Sequence, residues 1–152
     1  MSVYQEAKGS PILKAVIVVL FGVLAYVLYE PYMIREQEET NKRESRARMI
    51  NIRQAQLLHI GQFGRYNTSV DSLVSFVNTL PDSIRTMHFR PLALSSFVPE
   101  SLLHTPKSWR PYFLQVVDTT AIKKYLVDDP DGYGSIGSLT DDSRVNKASW
   151  EE

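Results

Sequence analysis

The stretch "IRQAQLLHIGQFGRYNTSVDSLVSFV", Ile52–Val77, decides how the fold is read, because it holds two apolar patterns of helical period separated by a glycine turn. Before the turn, Met49, Ile52, Ile60 and Phe63 trace one stripe, with Ile50, Leu57 and Leu58 beside it. Gly64 supplies a residue free to adopt the left-handed conformation that ends a helix. Thr68 followed by Asp71 forms a capping-box variant, and Val70, Leu73, Val74 and Val77 then recur at helical spacing. The expectation is a long helix with a short amphipathic helix folded back beside it.

Working outward toward the amino terminus, "PILKAVIVVLFGVLAYVLYEPY" (residues 11–32) contains about fifteen uncharged residues, extended to about eighteen if Lys14 reaches the headgroups. Tyr26, Tyr29 and Tyr32 cluster at one end, as amphipathic rings do at a membrane interface. No pair of small residues suited to signal-peptidase cleavage follows, so the reading is an uncleaved single-pass anchor that contacts membrane lipid. Ala15, Gly22 and Ala25 are the small residues through which such a helix would pack on another within the bilayer.

Between the anchor and Met49 lies "REQEETNKRESRAR" (residues 35–48), with Ala47 its one weakly apolar residue. It reads as a solvated helical stalk, unable to bury a face in a core. Glu38 with Lys42, Glu39 with Arg43 and Glu44 with Arg48 stand four apart, acid first, which suits surface pairs along a helix. Pro31 lacks a backbone donor and is expected to bend the chain before the stalk. The resulting division is a tail over residues 1–11, a transmembrane helix over 12–32, a stalk over 33–48 and a soluble domain over 49–152.

At 152 residues, the chain has length for one small domain beyond the anchor. Seventeen basic and seventeen acidic side chains balance, so no global charge draws it to nucleic acid. The absence of cysteine removes thiol catalysis, thiolate metal sites and disulfides together. His59, His88 and His104 have no metal-site spacing, and Ser95 and Ser96 lack the flanking glycines of a nucleophile elbow. No Gly-rich phosphate loop opens a helix, so neither a small-molecule substrate nor an enzymatic role is expected.

The rest of the chain reads mainly as β: "RTMHF" (85–89), "SWRPYFLQVVD" (108–118) and "AIKKYLVDD" (121–129) carry β-branched and aromatic residues. "DTTAI" (118–122) is the expected hairpin turn between the last two. Pro91, Pro99, Pro106 and Pro111 make residues 90–110 a long surface loop, a candidate partner-facing arm. The closing segment, residues 125–152, gathers Asp128, Asp129, Asp131, Asp141 and Asp142 around Gly132, Gly134 and Gly137. Carboxylates on a glycine-bent loop suit Ca2+, and Asp129, Asp131, Asp141 and Asp142 are the candidate ligands. Asp-Pro-Asp-Gly is also an ordinary turn signal, and the regular EF-hand spacing fails, so a purely structural turn stands beside the metal reading.

The segment Ile52–Val77 resembles the end of the long amino-terminal helix of type IV pilins and type II secretion pseudopilins, where a helix rich in Ala, Gln and Leu meets a G-x-Y turn and a capped short helix. It also looks like a group of single-pass bacterial membrane proteins that share this helix and a closing "GSLT...W" signature, here Gly137–Thr140 and Trp150. The resemblance implies a pilin-like α+β fold: a transmembrane helix continuing into a long helix, packed on a short helix and a small antiparallel sheet. It further implies a bacterial inner-membrane location with the soluble domain in the periplasm, and homo-oligomers or other envelope subunits as partners. Major pseudopilins have a Gly- and Asp-rich calcium loop ending in Trp, similar to Asp129, Asp131, Asp142 and Trp150. The chain departs from prepilins in its processing site, because Gly9 is followed by Ser10 and Pro11, and Lys14 occupies the place of the mature glutamate. Counting charge alone gives the opposite topology: Lys8 and Lys14 precede the span, while Arg35, Lys42, Arg43, Arg46 and Arg48 follow it. Two roles are compatible with these features, a non-enzymatic structural or assembly subunit of a secretion or pilus-like machine, and a membrane-tethered module that binds a protein or envelope polymer.

Overall fold

The computed structural model describes residues 10–119 and 121–151. The processing-site residue Gly9, Lys8, most of the tail and Thr120 of the hairpin turn lie outside the described residues. The chain is α+β: the described residues form three α-helices, α1 (Pro11–Phe63), α2 (Val70–Thr79) and α3 (Asp82–His88), and three strands, β1 (Phe113–Val117), β2 (Lys124–Asp128) and β3 (Ser135–Gly137). Its residues fall into two compact units, divided between Glu39 and Thr40.

The described part of the first unit is helix throughout from Pro11, and α1 runs unbroken through Pro31. Its most apolar stretch has a mean hydropathy of 2.5, and none of that stretch is buried among the described residues. This one helix is long and apolar enough, near the amino terminus, to span a bilayer. Ala15, Gly22 and Ala25 are exposed along it, with no atom near the position a side chain at Gly22 would take.

The second unit begins at Thr40, within the segment expected to be an unburied stalk. That expectation is corrected at Glu44 and Ser45, which are 1% and 0% exposed. The buried face of α1 comprises Glu44, Ser45, Met49, Asn51, Ile52, Ala55 and Gln56. The spacing is helical, yet four of these side chains are polar, so a search for apolar period alone misses half the face. The apolar stripe is also shorter than expected, since Phe63 at the helix end is exposed. Gly64 stops α1 as anticipated: its φ is 69° and its N–H donates to the Ile60 carbonyl at 2.8 Å.

On α2, Val70, Leu73, Val74 and Val77 are all buried. The helix is entered at Ser69 rather than capped by Thr68, which is exposed. Asn67 orders this entry instead, its side-chain oxygen accepting from Ser69 N–H at 3.1 Å while its amide donates to Ser72 Oγ at 3.2 Å. The segment "RTMHF", expected as a strand, lies in α3 up to His88. Asp82 in the first turn and Arg85 and His88 in the last turn suit the helix dipole, an influence that outweighs the weak β preference of Thr86. Phe89 then leaves the helix to stack on Phe97, centroids 4.5 Å apart.

The sheet has the order β1-β2-β3, antiparallel throughout. Leu114, Val127 and Ile136 stand opposite one another across it, and Ile136 is bridged in turn to Ala148. Tyr125, Val127 and Ile136 are fully buried and join Met49 and Ile52 of α1 and Leu73 and Val77 of α2 in one core. The proline-rich segment is tied down more than a surface loop would be: it contains a 3-10 turn, Pro99–Leu102, with Pro99, Leu102 and Thr105 buried.

Candidate interaction site

Four polar side chains on α1 hold the irregular segments of the second unit in place. Glu44 accepts from Arg48 Nη2 at 3.0 Å and from the backbone N–H groups of Ala93 and Leu94 at 2.7 and 3.3 Å. Arg48 donates onward to the His104 carbonyl at 2.7 Å. Asn51 clamps a single residue, donating to the Arg90 carbonyl and accepting from its N–H, both at 2.9 Å. Gln56 does the same with Asn67, at 2.8 Å in each direction. Side-chain amides here complete backbone hydrogen bonds that a strand partner would otherwise supply, and so satisfy loop groups enclosed in the core.

Ser45 connects this seam to the Asp-rich loop, by hydrogen bonds to Tyr112 Oη at 2.9 Å and to the carboxylate of Asp129. Burial pushes the Tyr112 hydroxyl upward. Asp129 is 3% exposed; burial raises its pKa, opposed by the Ser45 hydroxyl and the Asp131 N–H, so desolvation prevails over hydrogen bonding.

Asp131 organises a second loop. Its side chain is 4% exposed and accepts from Ser108 N–H at 3.2 Å and Arg110 Nη2 at 3.1 Å. Its burial alone would raise the pKa, but hydrogen bonds from Ser108, Thr105 and Arg110 outweigh that and bring it down to about 2. Thr105 N–H closes the base of the loop on the Arg110 carbonyl at 2.8 Å. At its tip Trp109 is 68% exposed, has φ 57°, and lies parallel to His104 with centroids 5.0 Å apart. A bulky side chain with positive φ is a strained arrangement, maintained by surroundings that fix the loop. The result is a fixed aromatic surface facing solvent. It adjoins a groove of about 330 Å3 running from His104 and Leu103 past Pro111–Leu114 to the first turn of α2.

The four candidate calcium ligands are not brought together. Asp129 and Asp131 share one turn, the Asp131 N–H donating to Asp129 Oδ1 at 2.7 Å, but both carboxylates are engaged by protein donors. Asp141 accepts from Ser143 N–H at 2.9 Å and Asp142 pairs with Lys124. Among the described residues no group of three His, Asp or Glu side chains is placed to hold a metal ion. The glycines of this segment serve backbone geometry instead: Gly132, Gly134 and Gly137 all have positive φ, and Gly134 lies against the ring of Trp150. Trp150 in turn lies under the guanidinium of Arg46, 4.7 Å from its centroid, which attaches the closing segment to α1.

The expected pairing of Glu44 with Arg48 is present, but buried instead of on the surface, and Asn51, Gln56 and Trp109 are not marked in the sequence. Helical phase with Met49 and Ile52 is the available signal for Gln56 alone, since Asn51 shares its phase with Glu44; Trp109 has none beyond its place between Ser108 and Arg110. These features define a class, an α+β chain of pilin-like arrangement with one helix long and apolar enough to cross a membrane. The chain matches no protein family, no curated protein and no solved structure.

Proposed function

We propose that the protein is a non-enzymatic structural or assembly subunit of a membrane-anchored envelope complex, secretion- or pilus-like, with its folded unit in the periplasm. The observation that supports this most is the amino-terminal part of α1, whose apolar surface is entirely unburied within the chain and requires lipid or other helices around it. Ala15, Gly22 and Ala25 are the positions at which a neighbouring helix would approach. The second reading, a membrane-tethered binding module, draws support from the fixed, exposed Trp109. Both give the folded unit a partner-holding role in place of chemistry.

The test uses the absence of native cysteine. Met87 is 76% exposed on a helix with no buried residue, so Met87→Cys is expected to leave the fold unchanged. The full-length variant is expected to stay in the membrane fraction after alkaline washing, and to react with an impermeant thiol reagent once the outer membrane is opened. Release by the wash would refute the anchor, and protection until the inner membrane is lysed would refute the periplasmic placement.

A further inference from the structure

The second unit has two distinguishable ends. Where α1 enters it after Thr40, Glu44 holds the Ala93 and Leu94 N–H groups, Ser45 holds Tyr112 and Asp129, and Arg48 holds the His104 carbonyl. The loop of residues 105–110 and the turn of residues 129–134 meet at this same end, joined through Arg110 and Asp131. At the other end Lys123 donates to the Gly64 carbonyl, which sets the β1–β2 turn beside the stop of α1. β1 therefore begins at the Thr40 end and finishes at the Gly64 end.

Leu94, Trp109 and Phe113 are exposed at the Thr40 end, by 70%, 68% and 52%. Each sits on a held segment: Leu94 on Glu44, Trp109 against the His104 ring, and Phe113 in the ladder opposite Asp128. Nearby cations are engaged within the chain, Arg48 by Glu44 and Arg110 by Asp131, so this surface offers apolar area and not a net charge. Chain connectivity brings one surface within its reach. Thr40 follows Tyr32 by eight residues, so at any angle between the units the Thr40 end stays within about 30 Å of the tyrosines read as marking the bilayer surface. A tether that short raises the effective concentration of that surface far above that of a freely diffusing partner. Indole is also a side chain that favours headgroup level.

We infer that the Thr40 end of the second unit rests on the surface of the bilayer that anchors the chain, with Trp109, Leu94 and Phe113 entering the headgroup layer. Because the cations beside them are paired within the chain, attachment depends on apolar insertion and not on anionic lipid, and a zwitterionic phospholipid suffices. This inference rests on the anchor of the proposed function and goes beyond it, giving Trp109 a lipid contact in place of a protein or polymer one.

The test uses the full-length chain in phosphatidylcholine nanodiscs, with Trp150→Phe leaving Trp109 as its one indole. Its emission is expected to fall about two-fold or more when the lipid carries a nitroxide on the acyl chain near the headgroup, and to resist aqueous iodide, as an indole at headgroup level does. High salt should leave both results unchanged. An indole placed at the other end by Ile122→Trp, in a chain with Trp109→Phe and Trp150→Phe, should show the reverse pattern. Leu94→Ser combined with Phe113→Ser should return Trp109 to iodide at an unchanged melting temperature, since both side chains are exposed. Quenching of Trp109 by iodide and not by the labelled lipid, shielding from both, or equal lipid quenching at the two ends would overturn the inference. A chain that stays in the nanodisc with Trp109 open to iodide refutes only this inference, whereas a chain that does not incorporate refutes the anchor on which it rests.

Discussion

Arg48→Met is expected to destabilise the folded unit by on the order of 3 kcal/mol, because it leaves the Glu44 carboxylate, 2% exposed, without its cation. The two side chains are held by two hydrogen bonds of 3.1 and 3.0 Å, and Arg48 additionally ties α1 to the His104 carbonyl. Burying an unpaired charge is much costlier than losing a surface pair, which would be worth less than about 1 kcal/mol. The distinction is tested by adding Glu44→Gln to Arg48→Met. A glutamine keeps an acceptor for the Ala93 and Leu94 N–H groups while removing the charge, so the double variant should regain part of the lost stability. Thermal unfolding of the full-length chain in detergent measures both. A loss below about 1 kcal/mol for Arg48→Met would place the pair with ordinary surface ion pairs and refute its structural role.

Gly137→Ala is expected to be the most damaging single methyl in the second unit. Gly137 has φ 89°, and a Cβ there would lie 2.2 Å from the Tyr125 carbonyl oxygen and 3.0 Å from that of Val145, both backbone atoms without freedom to withdraw. The residue opposes Leu126 in the β2–β3 ladder and also donates to Lys147, so relief requires moving either the central strand or the closing segment. Conformational strain alone contributes about 1–3 kcal/mol, and the steric overlap adds to it, so loss of the cooperative transition or of folded protein is expected. Gly64→Ala makes the comparison: its φ is also positive, at 69°, but its Cβ would meet nothing within 4 Å. A loss of about 1 kcal/mol there, against a much larger one at Gly137, separates strain from overlap. Equal effects at the two sites would show that the close approach in the β2–β3 region is not rigid.

Much of the architecture was legible in the sequence where composition and period agree. The helix long and apolar enough to cross a membrane stood out as an apolar run, Gly64 as a helix stop, and the β1–β2 hairpin as two β-branched segments around a turn. Legibility failed where polar residues do core work. Ser45 and Gln56 continue the stripe of Met49 and Ile52 in phase, while Glu44 and Asn51, seven apart, lie beside it with Ala55; their types read as solvated, because the groups that satisfy them come from Arg90, Ala93, Asn67 and Asp129 in other segments. The strand expected at "RTMHF" failed for a local reason: Pro81 and Asp82 are a helix start with a charge-favourable first turn, and that signal precedes the quoted segment. The Asp-rich loop shows the same limit from the other side. Its composition suits a cation, yet which donors meet Asp131 depends on Ser108 and Arg110 across the fold.

Native mass measurement of the protein extracted from cells in mild detergent decides whether the unburied apolar helix and the exposed surfaces of the folded unit are joined by other subunits, as proposed. The expected result is a discrete assembly, of several copies or of this chain with other proteins, that dissociates when the apolar helix carries Gly22→Leu, a bulky residue at the small-residue position. A chain that is extracted as a lone monomer, with Gly22→Leu indistinguishable from it, would refute the proposed role as an assembly subunit.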